Sequence, residues 1–262
     1  MLWAESMNEE KTANTIQVES LEVETTADGS NTLIDRATGI TYRSVYGAAS
    51  ESAHVFVKGT RIFARKGPWK ILEFGLGAGT NILTTLAHYR ELGLEEQLIY
   101  HAIERSLIQS SLGSQLHRDC AHPEDLDFLC SILSEGCDAK TTFQHPRLNV
   151  CFRLWLGDFR KANLPKAYFD AVYHDPFGPQ VNPDGWTDTW FKMAHAAMQP
   201  HGILTTYSAA SAVRRAMAQA GLFLGTQPGS GGKREMTGAS PSLEHLLDYK
   251  PLPPSKQPGP SQ

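Results

Sequence analysis

Residues 73–81 read EFGLGAGTN, with Gly75, Gly77 and Gly79 at alternate positions. The apolar run WKILEF (69–74) precedes them, and Ile82, Leu86 and Tyr89, with Leu83 and Ala87 beside them, follow on one face of a helical pattern. Glycines in such a strand–turn–helix let the backbone turn tightly and approach a ligand, with the helix N-terminus aimed at it. Their spacing departs from the G-x-G-x-x-G of dinucleotide enzymes. An acid at Glu73 is also poorly placed against a pyrophosphate, because like charges repel. It suits a ligand carrying an ammonium and a sulfonium, which points to S-adenosylmethionine.

Outward from this stretch, strand and helix patterns alternate. LIYHAIE (98–104), LNVCFRLWL (148–156), YFDAVYHD (168–175) and GILTTYS (202–208) read as further strands. Pro183, Asp184 and Thr187 precede a helix through Trp190, Met193, Ala194 and Ala197. Val213, Ala216, Met217 and Ala220 give the apolar face of another helix. LFLGTQ and KREMTGA close the pattern as two strands around a glycine-rich turn. The expectation is an α/β, Rossmann-like methyltransferase fold, a mostly parallel seven-stranded sheet with a terminal antiparallel hairpin. Short strands within 16–43 predict a small β-rich extension. The expected division is a flexible tail over 1–15, the extension and a helix over 16–66, the methyltransferase domain over 67–250, and a second loose tail over 251–262.

Two further acids sit at strand ends. Glu104 ends the second strand, where a carboxylate can accept both ribose hydroxyls, and Asp158 follows the third, where an acid can read an adenine amino group. Each alone also reads as a solvent-exposed acid. The fourth strand runs into HDPFGP (174–179). Ligands of open α/β sheets lie beyond the carboxyl ends of the strands, so Asp175 is expected to face the methyl donor. A prolyl turn with a capping aspartate is the plainer reading.

Composition narrows the class. The net charge of −4 is uneven: residues 1–36 hold eight acids and two bases, whereas KGTRIFARKGPWK (58–70) holds five bases and no acid. That balance does not describe a strongly nucleic-acid-binding surface, although basic patches leave RNA contact open. No apolar run is long enough to span a membrane, and the amino terminus lacks the pattern of a signal peptide. Cys120, Cys130, Cys137 and Cys151 lack C-x-x-C spacing, so reduced thiols and a cytoplasmic location are expected.

The stretches YRSVYGAASESAHVF, ILEFGLGAGTN, HAIE, FDAVYHDPFGPQVNPDGWT, YSAASAVRRAMAQAG and GGKREM carry a resemblance over about residues 41–240. The chain resembles the MnmC-like methyltransferases of bacterial wobble-uridine modification, which convert 5-aminomethyl(-2-thio)uridine in tRNA to its 5-methylaminomethyl form. The resemblance implies catalysis by Asp175 and methyl-donor contacts from Glu73, Gly75, Gly77, Gly79, Asn81, Glu104 and Asp158. Ser44, Glu51 and His54 would close over the cofactor. Pro176, Phe177, Trp186 and Tyr207 would hold the base, and Arg214, Arg215, Lys233 and Arg234 the phosphates of the anticodon loop. Many such domains are fused to a flavin oxidoreductase. This chain looks like the form without it, so the expectation is S-adenosylmethionine with no flavin and no metal, and an amine installed by separate enzymes. Residues 116–138, an acidic excursion, are not among the stretches that carry the resemblance.

Two other readings stay open. Asp175-Pro176-Phe177-Gly178-Pro179 also matches polyamine aminopropyltransferases, although these place a further aspartate just before the Asp-Pro pair, where Val172, Tyr173 and His174 stand. A non-catalytic RNA-binding module of the same fold is the third.

Overall fold

In the computed structural model, which describes residues 20–134 and 142–258, the extension forms a three-stranded antiparallel sheet. Its strands are β1 (Leu21–Thr25), β2 (Asn31–Asp35) and β3 (Ile40–Thr41). Asp28 organises the β1–β2 turn, accepting from Thr26 Oγ1 at 2.8 Å and Ser30 N at 3.1 Å, and it reaches Ser50 N at 3.0 Å in α1 (Ala48–Ser52). The chain then widens into a π-helix over Ala53–Lys58, a rare form that is frequent at functional sites.

The larger sheet begins at β4 (Trp69–Phe74), followed by α2 (Thr80–Glu91), β5 (Leu98–Glu104), α3 (Ser110–Leu116) and α4 (Pro123–Ser134). Next come β6 (Thr142–Gln144), β7 (Val150–Leu156), β8 (Phe169–His174), α5 (Asp188–Ala197) and β9 (Met198–Thr206). The chain closes with α6 (Ser211–Gln219), β10 (Phe223–Pro228), β11 (Glu235–Ser240) and β12 (Lys250–Pro251). The sheet order is β12-β10-β11-β9-β8-β4-β5-β7-β6. Strands β9, β8, β4, β5 and β7 pair in parallel, and β11 runs antiparallel to both β9 and β10.

Among the described residues the sheet therefore has nine strands where seven were expected. The two additions are the short edge strands β6 and β12, of three and two residues, too brief to show a period in sequence. β9 starts at Met198, earlier than residue 202, because a register shift opposite Phe169 and Ala171 accommodates Pro200. The carboxyl-terminal segment, expected loose from 251, is held to the sheet as far as residue 257. The Gln257 amide accepts from Leu224 N and donates to Leu224 O, both at 2.8 Å. Residues 1–15, Cys137 and the last part of the acidic excursion lie outside the described residues. Cys120, Cys130 and Cys151 are free thiols.

Alternation along the central strands creates two cores. Ile71, Tyr100, Ala102, Ala171 and Tyr173 face α2, α4 and the π-helix, with Ile82, Leu86, Phe128, Leu129 and Phe56. Leu72, Phe74, Ile103 and Val172 face α5 and α6, with Trp190, Phe191, Val213 and Met217. Each fully buried Leu, Ile or Phe contributes about 1.5–3 kcal/mol. The strand order reverses between β4 and β8, so their carboxyl ends open the crevice where open α/β sheets take ligands.

Candidate active site

A cavity of about 210 Å³ lies at that crevice. Its walls include Gly75, Gly77, Glu104, Asp158, Asp175, Pro176 and Phe177, together with Tyr42 and Arg43 from the extension.

Gly75 and Gly77 have φ of 91° and 54°, in the left-handed region that disfavours side chains. At Gly75 a Cβ would lie 2.8 Å from the Asp175 carbonyl oxygen, so the two strand ends approach through bare backbone. Gly79 serves a different purpose. It precedes α2, stays away from the cavity wall, and its missing Cβ makes room for Leu129 of α4.

Glu104 presents a fixed carboxylate to the cavity. Oε2 accepts from Gly77 N at 3.0 Å, and Oε1 accepts from Arg105 N at 2.7 Å and Ser106 N at 3.0 Å. Burial raises its pKa against these three donors. Asp158 caps the turn after β7, accepting from Arg160 N at 3.0 Å and Arg160 Nε at 2.9 Å. Ile103, Phe159 and Leu116 add apolar wall between the two acids. These carboxylate acceptors and apolar walls fit a ligand with a diol and an aromatic amine, so S-adenosylmethionine suits the residues present.

Glu73 does not reach the cavity. It is fully buried, with Oε1 accepting from Asn81 Nδ2 at 2.7 Å and Oε2 from the Tyr100 hydroxyl at 2.9 Å. A contact with a cofactor ammonium was expected of this carboxyl, and its partners here are Asn81 and Tyr100. Asn81 Nδ2 also donates to Asp175 Oδ2 at 2.8 Å, and Asn81 Oδ1 accepts from Ser52 Oγ at 2.6 Å. Arg43 Nη2 completes the arrangement with an ion pair to Asp175 Oδ2, the two side chains 8% and 7% exposed. Burial, opposed by Arg43, pushes the Asp175 carboxyl up to about 7. His174, the neighbouring titratable group, is buried against Phe74 and Trp190, and burial pushes it down to about 3.

Burial also pushes Glu73 up to about 8. A carboxyl whose pKa is raised by folding costs nothing below its unfolded value near 4.5, and destabilises increasingly as pH rises towards 8. Glu73→Gln can accept from Asn81 and donate to the Tyr100 oxygen without ionising. Between pH 5 and 8 the wild type should lose roughly 2–4 kcal/mol relative to this variant in urea melts. Parallel curves for the two proteins would show that Glu73 titrates as an ordinary acid.

The remaining expected residues divide. Pro176 and Phe177 form the cavity lip, held by Tyr207 donating to Pro176 O at 2.9 Å and Trp186 donating to Phe177 O at 2.7 Å. Trp186 is 6% exposed, so it supports the lip and offers no free face to a base. Glu51 pairs with Lys233 and accepts from Ser44 N at 3.4 Å; His54 Nε2 contacts Pro228 O at 2.7 Å. These residues tie the extension to the hairpin and do not line the cavity. Lys233 also lies 4.5 Å over the Tyr207 ring, and Arg214 is buried against Thr237 and Glu235. Both cations are engaged by partners within the protein. Arg215 and Arg234 are exposed and make no ion pair among the described residues. Sequence reasoning missed Arg43 and Tyr42, whose ring meets Phe177 edge-on at 4.8 Å. Both stand inside a quoted family stretch, but a lone arginine at a strand end reads as solvated.

Fold and site together define an S-adenosylmethionine-dependent methyltransferase, and residues 130–242 match the family described as S-adenosyl-L-methionine-dependent methyltransferase. The chain is 31% identical over 208 residues to the tRNA 5-methylaminomethyl-2-thiouridine biosynthesis bifunctional protein MnmC of Polaromonas naphthalenivorans, covering 75% of this chain and 32% of that one. The protein of the same name from Leptospira interrogans is 30% identical over 216 residues, covering 74% and 31%. The chain thus spans about a third of the length of these curated relatives. The crystal structure of MnmC2 from Aquifex aeolicus aligns with a TM-score of 0.69 and 27% identity, covering 90% of this chain and 74% of that one. These matches make the chain similar to the methyltransferase part of MnmC proteins. Among the described residues no helix is long and apolar enough to cross a membrane.

Proposed function

We propose that this domain methylates the 5-aminomethyl nitrogen of the wobble uridine in tRNA. The observation that carries this reading is Asp175, a buried carboxylate at the end of β8 that lines the cavity with Pro176 and Phe177. Gly75, Gly77, Glu104 and Asp158 would hold S-adenosylmethionine, which when bound supplies the electrophilic methyl group. Neither a flavin nor a metal is needed for transfer to an amine.

Asp175 orients the amine nitrogen and stabilises the positive charge that grows on it. Asn81, held by Glu73 and Ser52, fixes the carboxylate. A wobble base lies in a single-stranded loop and can be splayed into a pocket without melting a duplex. Of the basic residues considered, Arg215 and Arg234 are the candidates for phosphate contact. A cytoplasmic site of action, with the amine supplied by other enzymes, follows from the substrate. The polyamine reading fares worse, because the Arg43 cation lines the cavity beside Asp175, where a polycation would have to bind.

Radiolabelled methyl transfer to bulk tRNA from a strain lacking the modification, followed by nucleoside mass spectrometry, tests the reading. Label in 5-methylaminomethyluridine supports it; transfer to putrescine, or no transfer, overturns it. For the cofactor, Glu104→Ala should weaken S-adenosylmethionine binding by ~1.5–3 kcal/mol, the loss expected for hydrogen bonds to a charged group. Equal calorimetric affinities in the two proteins would remove Glu104 from the site.

A further inference from the structure

With Asp175 ionised, above its raised pKa of about 7, its surroundings balance in charge. The anions are Asp175 and Glu51; the cations are Arg43 and Lys233, each in an ion pair with one of them. Glu73, behind Asn81, is held largely protonated at neutral pH by burial, and burial keeps the Tyr207 hydroxyl protonated. Arg43 and Asn81 both engage Asp175 Oδ2. Neither contact engages Asp175 Oδ1, and Arg43 Nη1 is buried without a hydrogen-bond partner. Arg43 and Asp175 line the same cavity. The pair therefore leaves one acceptor and one donor for a ligand.

Resting on the reading of the acceptor as an aminomethyl group, we propose that Arg43 makes this site bind the acceptor amine as its free base and reject the ammonium form. An alkylamine with a lysine-like pKa near 10 is only about 0.1% neutral at pH 7. A pocket holding Asp175 and Glu51 against Lys233 alone would carry net negative charge and trap the amine as an ammonium. That form has a proton on the lone pair that must attack. With Arg43 present, an ammonium becomes an uncompensated charge in a site shielded from water, which is strongly disfavoured. A neutral amine keeps the balance and can donate one N–H to Asp175 Oδ1. Arg43 is thus a specificity residue for protonation state, acting beside Asp175 and not in place of it.

The test compares tRNAs carrying 5-aminomethyl or 5-hydroxymethyl at the wobble uridine, with S-adenosylhomocysteine bound, from pH 6 to 9 at fixed ionic strength. The hydroxymethyl probe does not titrate and reports the protein's own pH dependence. For the wild type, the ratio of amine to alcohol affinity should rise about tenfold per pH unit below the amine's pKa. Arg43→Lys should keep that slope, and Arg43→Met should flatten or invert it. A wild-type ratio that is flat or falls with pH overturns the proposal, as does an Arg43→Met protein with the wild-type slope. Should Arg43→Met fail to fold, the wild-type slope decides alone. If the wild type neither binds nor methylates the aminomethyl tRNA, the substrate assignment fails, and that result is distinct from a wrong slope.

Discussion

Asp175→Asn should lower kcat roughly 10²-fold or more while S-adenosylmethionine affinity stays near normal. The amide keeps the shape and one acceptor oxygen, so Asn81 and Arg43 retain contacts, but the charge that stabilises the growing cation on nitrogen is gone. The cavity-lining groups Gly77, Glu104 and Asp158 are untouched. Single-turnover methyl transfer to tRNA, with calorimetric cofactor binding as the control, separates the two effects. Because Arg43 is buried and loses its counter-charge, the variant should also melt earlier. Transfer at the wild-type rate would make Asp175 a turn residue.

The second large effect is expected at Gly75. A Cβ there must accept a φ of 91° and a contact of 2.8 Å with the Asp175 carbonyl oxygen, which belongs to backbone and cannot swing away. Left-handed strain on a non-glycine residue costs about 1–3 kcal/mol, and overpacking adds a similar amount. Gly75→Ala should therefore lose about 3 kcal/mol or more of stability, and methyl transfer with it, since β4 and β8 must separate at the site. Gly93→Ala offers a comparison: its φ is also positive, at 62°, but a Cβ there meets nothing within 4 Å. Thermal melts in which the two variants lose equal stability would mean that the close approach to Asp175 contributes nothing.

The parts of the molecule legible in sequence are those with a period or a spacing. The central strands alternate between two cores, and the glycines and strand-end acids stand at fixed offsets from them. Glu104, Asp158 and Asp175 accordingly reach the cavity as expected. Side-chain direction was less legible. Glu73 and Asp175 end neighbouring parallel strands, yet Glu73 is buried one step before the opening, and its carboxylate turns to Asn81 and Tyr100. Lys233 and Arg214 read as free cations because their partners, Glu51 and Glu235, lie 182 and 21 residues away. The Gln257 clasp on Leu224 was hidden in a segment whose Pro, Gly and Ser content matches a tail.

The pair between Arg43 and Asp175 also bears on how the chain can be divided. A boundary near residue 67, drawn where the glycine-bearing strand begins, severs this pair and removes Glu51 from Lys233 and Ser52 from Asn81. What remains would contain every strand of the large sheet, and would still leave Asp175 and Lys233 without counter-charges. The transplantable unit is therefore set by charge pairing and not by the sheet: a graft or fusion that keeps the chemistry has to carry the three-stranded extension along with the crevice it closes.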